Sequence, residues 1–286
     1  MKRQLKRQVK TGLLIVTLLC GCIVCSGCGQ IAKQVTDVVK DTVKDIGTVG
    51  FEMDYENEEK YLAGDAELEN TINAIAIDWY GGDIQVAYYD GDTVSISETA
   101  TKDGEALSAD ELASQDLQLR YYADDGTLRI HFLKKGKYEK LDLSKELKIL
   151  LPKSCALKKI DCDVVDGDVS LRELMVKRVV MDSVDGDLRL EKVTAAEIEM
   201  NSVDGSLYVD DGTPLERLEM NSVDGDAEIF LPKEGNFTVK MGTVSGRFES
   251  DFDVKADEDR EEFICGNGEK EWRFDSVDGD ITIRKK

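Results

Sequence analysis

The sequence predicts an all-β, single-domain β-solenoid made of repeats of roughly 20 residues. Three observations point there. First, one phrase recurs: Asp163-Val164-Val165-Asp166-Gly167-Asp168, Asp182-Ser183-Val184-Asp185-Gly186-Asp187, Asn201-Ser202-Val203-Asp204-Gly205-Ser206, Asn221-Ser222-Val223-Asp224-Gly225-Asp226, a worn Gly242-Thr243-Val244-Ser245-Gly246, and Asp275-Ser276-Val277-Asp278-Gly279-Asp280. Its glycines advance by 19, 19, 20, 21 and 33 residues. Second, the flanking runs alternate apolar and polar, as in Ala196-Glu197-Ile198-Glu199-Met200 and Leu207-Tyr208-Val209, which is the period of a strand with one wet face. Third, Asp-Gly joins the two runs. Asp can hydrogen-bond its own backbone there, and Gly accepts a positive φ.

An antiparallel meander or sandwich is the alternative, with each Asp-Gly a hairpin tip. Hairpins have no need of identical turns, whereas stacked coils repeat one shape in register, so the solenoid is preferred. Strict alternation would place Ser202 inside and Val203 outside, and likewise for Val165, Val184, Val223, Val244 and Val277. Either the strand bends at the Ser and buries the Val row, which is the expectation, or an apolar stripe runs along the surface as a docking strip.

Three segments follow from composition. Residues 1–28 carry Lys2, Arg3, Lys6, Arg7 and Lys10 with no acid, then an apolar Leu13-Leu14-Ile15-Val16-Thr17-Leu18-Leu19 and a run of small residues and cysteines. This resembles a bacterial lipoprotein signal peptide, whose lipidated Cys would be Cys28 after Ser26-Gly27. Cys22 is the alternative site, and an uncleaved membrane anchor is the other outcome, since residues 11–28 just suffice to span a bilayer. Either way the basic flank stays inside and the rest lies outside. Residues 29–69 read as a tether, a short helix followed by an acidic linker. Residues 70–286 form the β-repeat domain.

The formal charge of the 286-residue chain is −22, and losing residues 1–28 would make it more acidic. Nucleic acid is therefore excluded as a partner, because phosphate neutralisation needs clustered Lys and Arg. Of seven cysteines, Cys155, Cys162 and Cys265 lie beyond the leader. Cys155 and Cys162 could bridge, or all three are buried thiols.

Within the domain, Ile75 to Val86 reads as a forerunner of the repeat, with Gly82-Asp83 in place of the Gly-Asp pair. Ser108 caps a short helix to Ser114, with Glu111 three residues on. The segments 117–121 and 128–132 pair around Asp125-Gly126, and Pro152 ends a strand that starts at Leu147. The stretch 252–262 is an acidic insertion, a solvated loop accounting for the 33-residue interval.

Asp78-Trp79-Tyr80-Gly81-Gly82-Asp83-Ile84, the Leu151-Pro152 strand end, the Ser-Val-Asp-Gly-Asp phrases and the closing run from Gly266 to Ile281 together resemble the bacterial DUF4097 β-strand-repeat proteins, labelled adhesins. The resemblance implies an envelope-associated solenoid-like domain and supplies no catalytic residues.

The leading site is the acidic corner. Stacking would align Asp166, Asp185, Asp204, Asp224 and Asp278 in one column, and Asp168, Asp187, Asp226 and Asp280 in a second that Ser206 interrupts. At about 4.8 Å spacing two such charges repel by roughly 0.9 kcal/mol in water, which solvated turn residues tolerate. A Ca²⁺ ladder is the alternative chemistry, although the period does not match the nonapeptide Ca²⁺ repeat. No other cofactor is expected. The pairs Trp79-Tyr80, Tyr88-Tyr89 and Tyr121-Tyr122 should each put one ring in the core and one outside, as a lid on the terminal coil or as a sugar-stacking row. His131, the one histidine, reads as structural, and neither a nucleophile elbow nor a phosphate loop is present. The expected function is non-enzymatic: an envelope surface protein anchored to the membrane, an adhesin or an envelope scaffold or stress-associated protein, offering a repeat β surface to a cell-surface protein or glycan. The alternatives are a Ca²⁺-dependent binding module and a polysaccharide-active β-helix enzyme.

Overall fold

A computed structural model describes residues 57–69, 71–134, 142–210, 215–232 and 235–286. Two sheets, of 12 and 11 strands, lie face to face, and the apolar residues of each alternating strand point between them. The first sheet contains Ala74–Gly81, Leu157–Asp166, Met175–Asp185, Thr194–Asn201 and Arg217–Asn221. The second contains Ile84–Tyr89, Val169–Arg172, Leu188–Glu191, Leu207–Asp210 and Ala227–Leu231. Within each sheet these strands pair in parallel with the equivalent strand of the next coil. Each coil crosses from one sheet to the other at its Asp-Gly corner. The solenoid is therefore the fold, and the Asp-Gly of the repeat phrase makes a corner between sheets; among the described residues only Asp103-Gly104 and Asp125-Gly126, outside the phrase, form hairpin tips.

Antiparallel pairing is confined to the two ends. At the first end, Arg120–Asp124 pairs with Thr127–His131, and Val94–Lys102 pairs with Leu143–Pro152. The acidic linker contributes here too, through Leu62–Ala63 and Ala66–Leu68. The helix α1 (Ala109–Ser114) carries the full capping box between Ser108 and Glu111.

At the other end the structure departs from simple succession. The last strands, Lys270–Asp275 and Ile281–Lys285, lie between the coil of Gly225 and that of Gly246. The 33-residue interval thus reflects a skipped slot that is filled later. Residues 252–262 are not simply a solvated loop. Phe252 is buried, and Val254–Ala256 pairs antiparallel with Glu262–Cys265, which in turn pairs with Phe237–Gly242. The apolar Phe252 and Phe263 close the end of the core, while the acidic tip between them stays exposed.

The Val row splits. At Val203, Val223 and Val277 the strand ends two residues earlier, the chain bends, and the side chains are buried. At Val165 and Val184 the strand runs on through the corner and the Val is half-buried. Cys155, Cys162 and Cys265 are all buried free thiols, and burial holds each thiol above its ordinary pKa. Cys155 and Cys162 form no bridge. Trp79 and Tyr121 are buried, with Tyr80 and Tyr122 half-buried beside them; Tyr88 and Tyr89 are both half-buried.

Candidate functional site: the stacked corner

The corner is built on a column of glycines. A methyl on Gly167 would lie 2.3 Å from the carbonyl oxygen of Gly82. The corresponding approaches are 2.2 Å for Gly186 on Gly167, 2.3 Å for Gly205 on Gly186, 2.1 Å for Gly225 on Gly205, 2.3 Å for Gly279 on Gly225 and 2.0 Å for Gly246 on Gly279. Seven backbones thus touch in one line where no Cβ fits, which is why the phrase keeps its Gly.

Both predicted acidic columns exist. Asp166 pairs in register with Asp185, and parallel bridges continue through Asp204, Asp224 and Asp278. The carboxyl of Asp185 is pushed above the usual range, mainly by burial and then by its neighbours Asp166 and Asp204. The second column is a hydrogen-bond ladder. Each side chain accepts from the backbone N–H one coil on: Asp83 Oδ1 from Asp168 (3.1 Å), Asp168 Oδ1 from Asp187 (2.9 Å), and Asp187 Oδ1 from Ser206 (2.7 Å). Ser206 Oγ then accepts from Asp226 (3.1 Å), Asp226 Oδ1 from Asp280 (2.7 Å), and Asp280 Oδ1 from Arg247 (2.8 Å). A hydroxyl oxygen accepts as a carboxylate does, so Ser206 continues the column. Among the described residues no group of three or more His, Cys, Asp or Glu side chains is arranged to hold a metal ion. Cys28 and Cys22 lie outside the described residues.

On the outer face of the first sheet the phrase forms a further ladder, Asn221 Nδ2 donating to Asn201 Oδ1 (2.9 Å) and Asn201 Nδ2 to Asp182 Oδ1 (2.8 Å). Facing the core, Ser183, Ser202, Ser222 and Ser276 form a buried polar row.

Two clusters at the first end escaped sequence reasoning. Lys145 is buried, its Nζ 2.7 Å from Glu98 Oε2 and donating to the carbonyls of Leu117 (2.5 Å) and Phe132 (2.7 Å). Burial drags its pKa down to about 8 despite the Glu98 charge. Its place was readable by parity, because Leu143, Lys145, Leu147, Ile149 and Leu151 all face inward, but only had the strand been started at Leu143. The second cluster joins three segments: His131 Nδ1 sits 2.8 Å from Asp78 Oδ2, and His131 Nε2 2.7 Å from the Tyr61 hydroxyl. His131 is buried there and pins the linker to the first coil.

The seven stacked corners lie within residues 69–284, which match the family described as Toastrack DUF4097. The chain belongs to the Toastrack DUF4097 family. Among solved structures, this Toastrack chain is similar to a putative cell adhesion protein from Clostridium sporogenes (12% identity, TM-score 0.39, covering 79% of this chain and 100% of that one). It is also similar to a putative adhesin from Bacteroides fragilis (17% identity, TM-score 0.40, 80% and 98%). A third is described as a putative lipid binding protein from Parabacteroides distasonis (10% identity, TM-score 0.24, 79% and 97%). No curated protein matches the chain.

Proposed function

We propose that this Toastrack protein is a non-enzymatic envelope protein, held by its N-terminal segment at the outer face of a bacterial membrane, that presents the side faces of its solenoid to a cell-surface protein or glycan. The observation that supports this is the open repeat face. Side chains such as Ser170, Arg189, Tyr208 and Glu228 lie in one in-register row, exposed or half-buried. Such a row gives a partner a ladder of polar, charged and aromatic contacts at a fixed spacing. Two experiments test the reading. A palmitate analogue should label the protein in cells, and Cys28→Ala should abolish the label; loss in Cys22→Ala alone would move the anchor. A surface coated with the purified domain should retain intact cells, in competition with soluble domain. If no cell or extracted envelope polymer is retained, the presentation reading fails.

A Ca²⁺-dependent module is the second reading, motivated by the stacking of Asp166, Asp185 and Asp204 in one column, although among the described residues no group of three or more such side chains is arranged to hold a metal ion. Titrating Ca²⁺ while following melting temperature tests it, and no shift at millimolar Ca²⁺ ends it.

A further inference from the structure

We propose that residues 270–286 are an exchangeable wedge through which two copies of this chain complete each other's solenoids. The chain lays down the coil of Gly225, passes over one position, lays down the coil of Gly246, and reverses through the Glu262–Cys265 strand. It then returns to fill the position it left. Lys270–Asp275 enters between Arg217–Asn221 and Phe237–Gly242, parallel to both. Ile281–Lys285 enters between Ala227–Leu231 and Phe248–Ser250. The slot must therefore stand about two strand spacings wide, roughly 9–10 Å, before its own occupant arrives.

The wedge carries a large share of the end core. Trp272, Phe274, Val277, Ile281 and Ile283 are buried. Trp272 stacks on Phe237 (4.9 Å between centroids, 11° between planes), and its Nε1 donates to the Leu215 carbonyl (3.4 Å). In the same register the neighbouring strands place Leu218 and Val239, so the indole marks this segment out from the other repeats. None of these contacts depends on which chain supplies the wedge. Exchange keeps every one of them and changes only the connection, which is what makes swapping a low-cost route to a dimer, and repeat proteins are prone to it. The connection suits a hinge. Gly266 and Gly268 sit at φ +62° and +69°, and the strap is held to the slot wall by hydrogen bonds of 3.2–3.5 Å: Thr238 Oγ1 to the Gly268 carbonyl at 3.2 Å, Lys270 N to the Asn236 carbonyl at 3.4 Å and Asn267 N to Asn236 Oδ1 at 3.5 Å. A reciprocal pair closes on itself, leaving no slot open.

The test uses an ion pair that bridges slot wall and wedge, Lys240 Nζ to Glu271 Oε1 at 3.0 Å. Light and heavy-nitrogen-labelled copies are unfolded, mixed, refolded together over a range of concentrations and sized. A carbodiimide then joins Lys240 to Glu271, and mass spectrometry reads the joined peptides. The expected result is a dimer whose share rises with refolding concentration and which yields mixed-isotope Lys240–Glu271 pairs, while the monomer yields same-isotope pairs only. Deleting Asn267 and Gly268, which shortens the return across Phe237–Gly242, should move the population toward the dimer. A protein that stays monomeric at every concentration, or a dimer giving only same-isotope pairs, overturns the proposal.

Discussion

Gly205 rests directly on Gly186: a methyl on the former would lie 2.3 Å from the carbonyl oxygen of the latter. Relief would require separating two coils that are hydrogen-bonded along both sheets. Gly205→Ala should therefore lower the unfolding free energy by about 2–3 kcal/mol or more, as overpacking against a fixed neighbour does. Gly104 supplies the contrast. A methyl there meets nothing within 4 Å, although its φ is +82°, so Gly104→Ala should cost only about 1 kcal/mol of backbone strain. Guanidinium unfolding of both variants reads the difference, and equal costs would contradict the stacking account.

The carboxylate ladder makes a prediction about chemistry rather than charge. Asp187 Oδ1 accepts the Ser206 N–H at 2.7 Å, and one coil on the Ser206 hydroxyl accepts in the same position at 3.1 Å. Asp187→Ser should stay within about 0.5 kcal/mol of the parent, whereas Asp187→Ala, which leaves an amide without its acceptor, should lose about 1 kcal/mol. If the two variants unfold at the same denaturant concentration, the ladder contributes nothing.

The buried serines separate by partner. Ser202 Oγ donates to the Gly205 carbonyl at 3.3 Å, while Ser183 Oγ and Ser222 Oγ are buried with no hydrogen-bond partner among the described residues. An unpaired buried hydroxyl costs about 1–3 kcal/mol of desolvation. Ser183→Ala and Ser222→Ala should accordingly be neutral or stabilising, by up to about 1 kcal/mol, and Ser202→Ala destabilising by about as much. Thermal unfolding of the three variants tests the order, and Ser202→Ala as the most stable of them would reverse it.

The contrast among these positions also shows what was legible in the sequence. The corner could be read because one physical constraint, backbone contact at Gly, acts on every coil and leaves a visible period. The alternation of Ile198 and Met200 gave the inward face because successive residues of a strand point to opposite faces. The place of the last coil could not be read: Asp275 to Asp280 looks the same whether it follows Gly246 or slips in before it, and only pairing across both sheets distinguishes the two. The Val row was ambiguous because alternation holds only while a strand continues, and the continuation differs between Val184 and Val203. Of the site, both Asp columns were foreseen. The ladder's use of backbone N–H groups was not, since it depends on the rise from coil to coil.

The ion pair of Lys145 with Glu98 predicts a pH dependence and a coupling. The ammonium is drawn from 10.5 to about 8 by burial, so its folded-state pKa lies below its unfolded one. Between about pH 8 and 10.5 the unfolded chain binds the extra proton, and this group makes stability rise with pH through that window; below about pH 8 both states are protonated and its contribution is flat. Lys145→Met should remove that rise. It should also cost about 3–5 kcal/mol at pH 7, because Glu98 is left buried without its counter-charge. Adding Glu98→Gln should restore most of the loss, since an amide oxygen can still accept the Leu119 N–H that Glu98 Oε1 receives at 2.7 Å. Denaturant unfolding of the parent, both single variants and the double at pH 7 and pH 10 completes the cycle. A double variant no more stable than Lys145→Met alone would show that the pair is not energetically coupled.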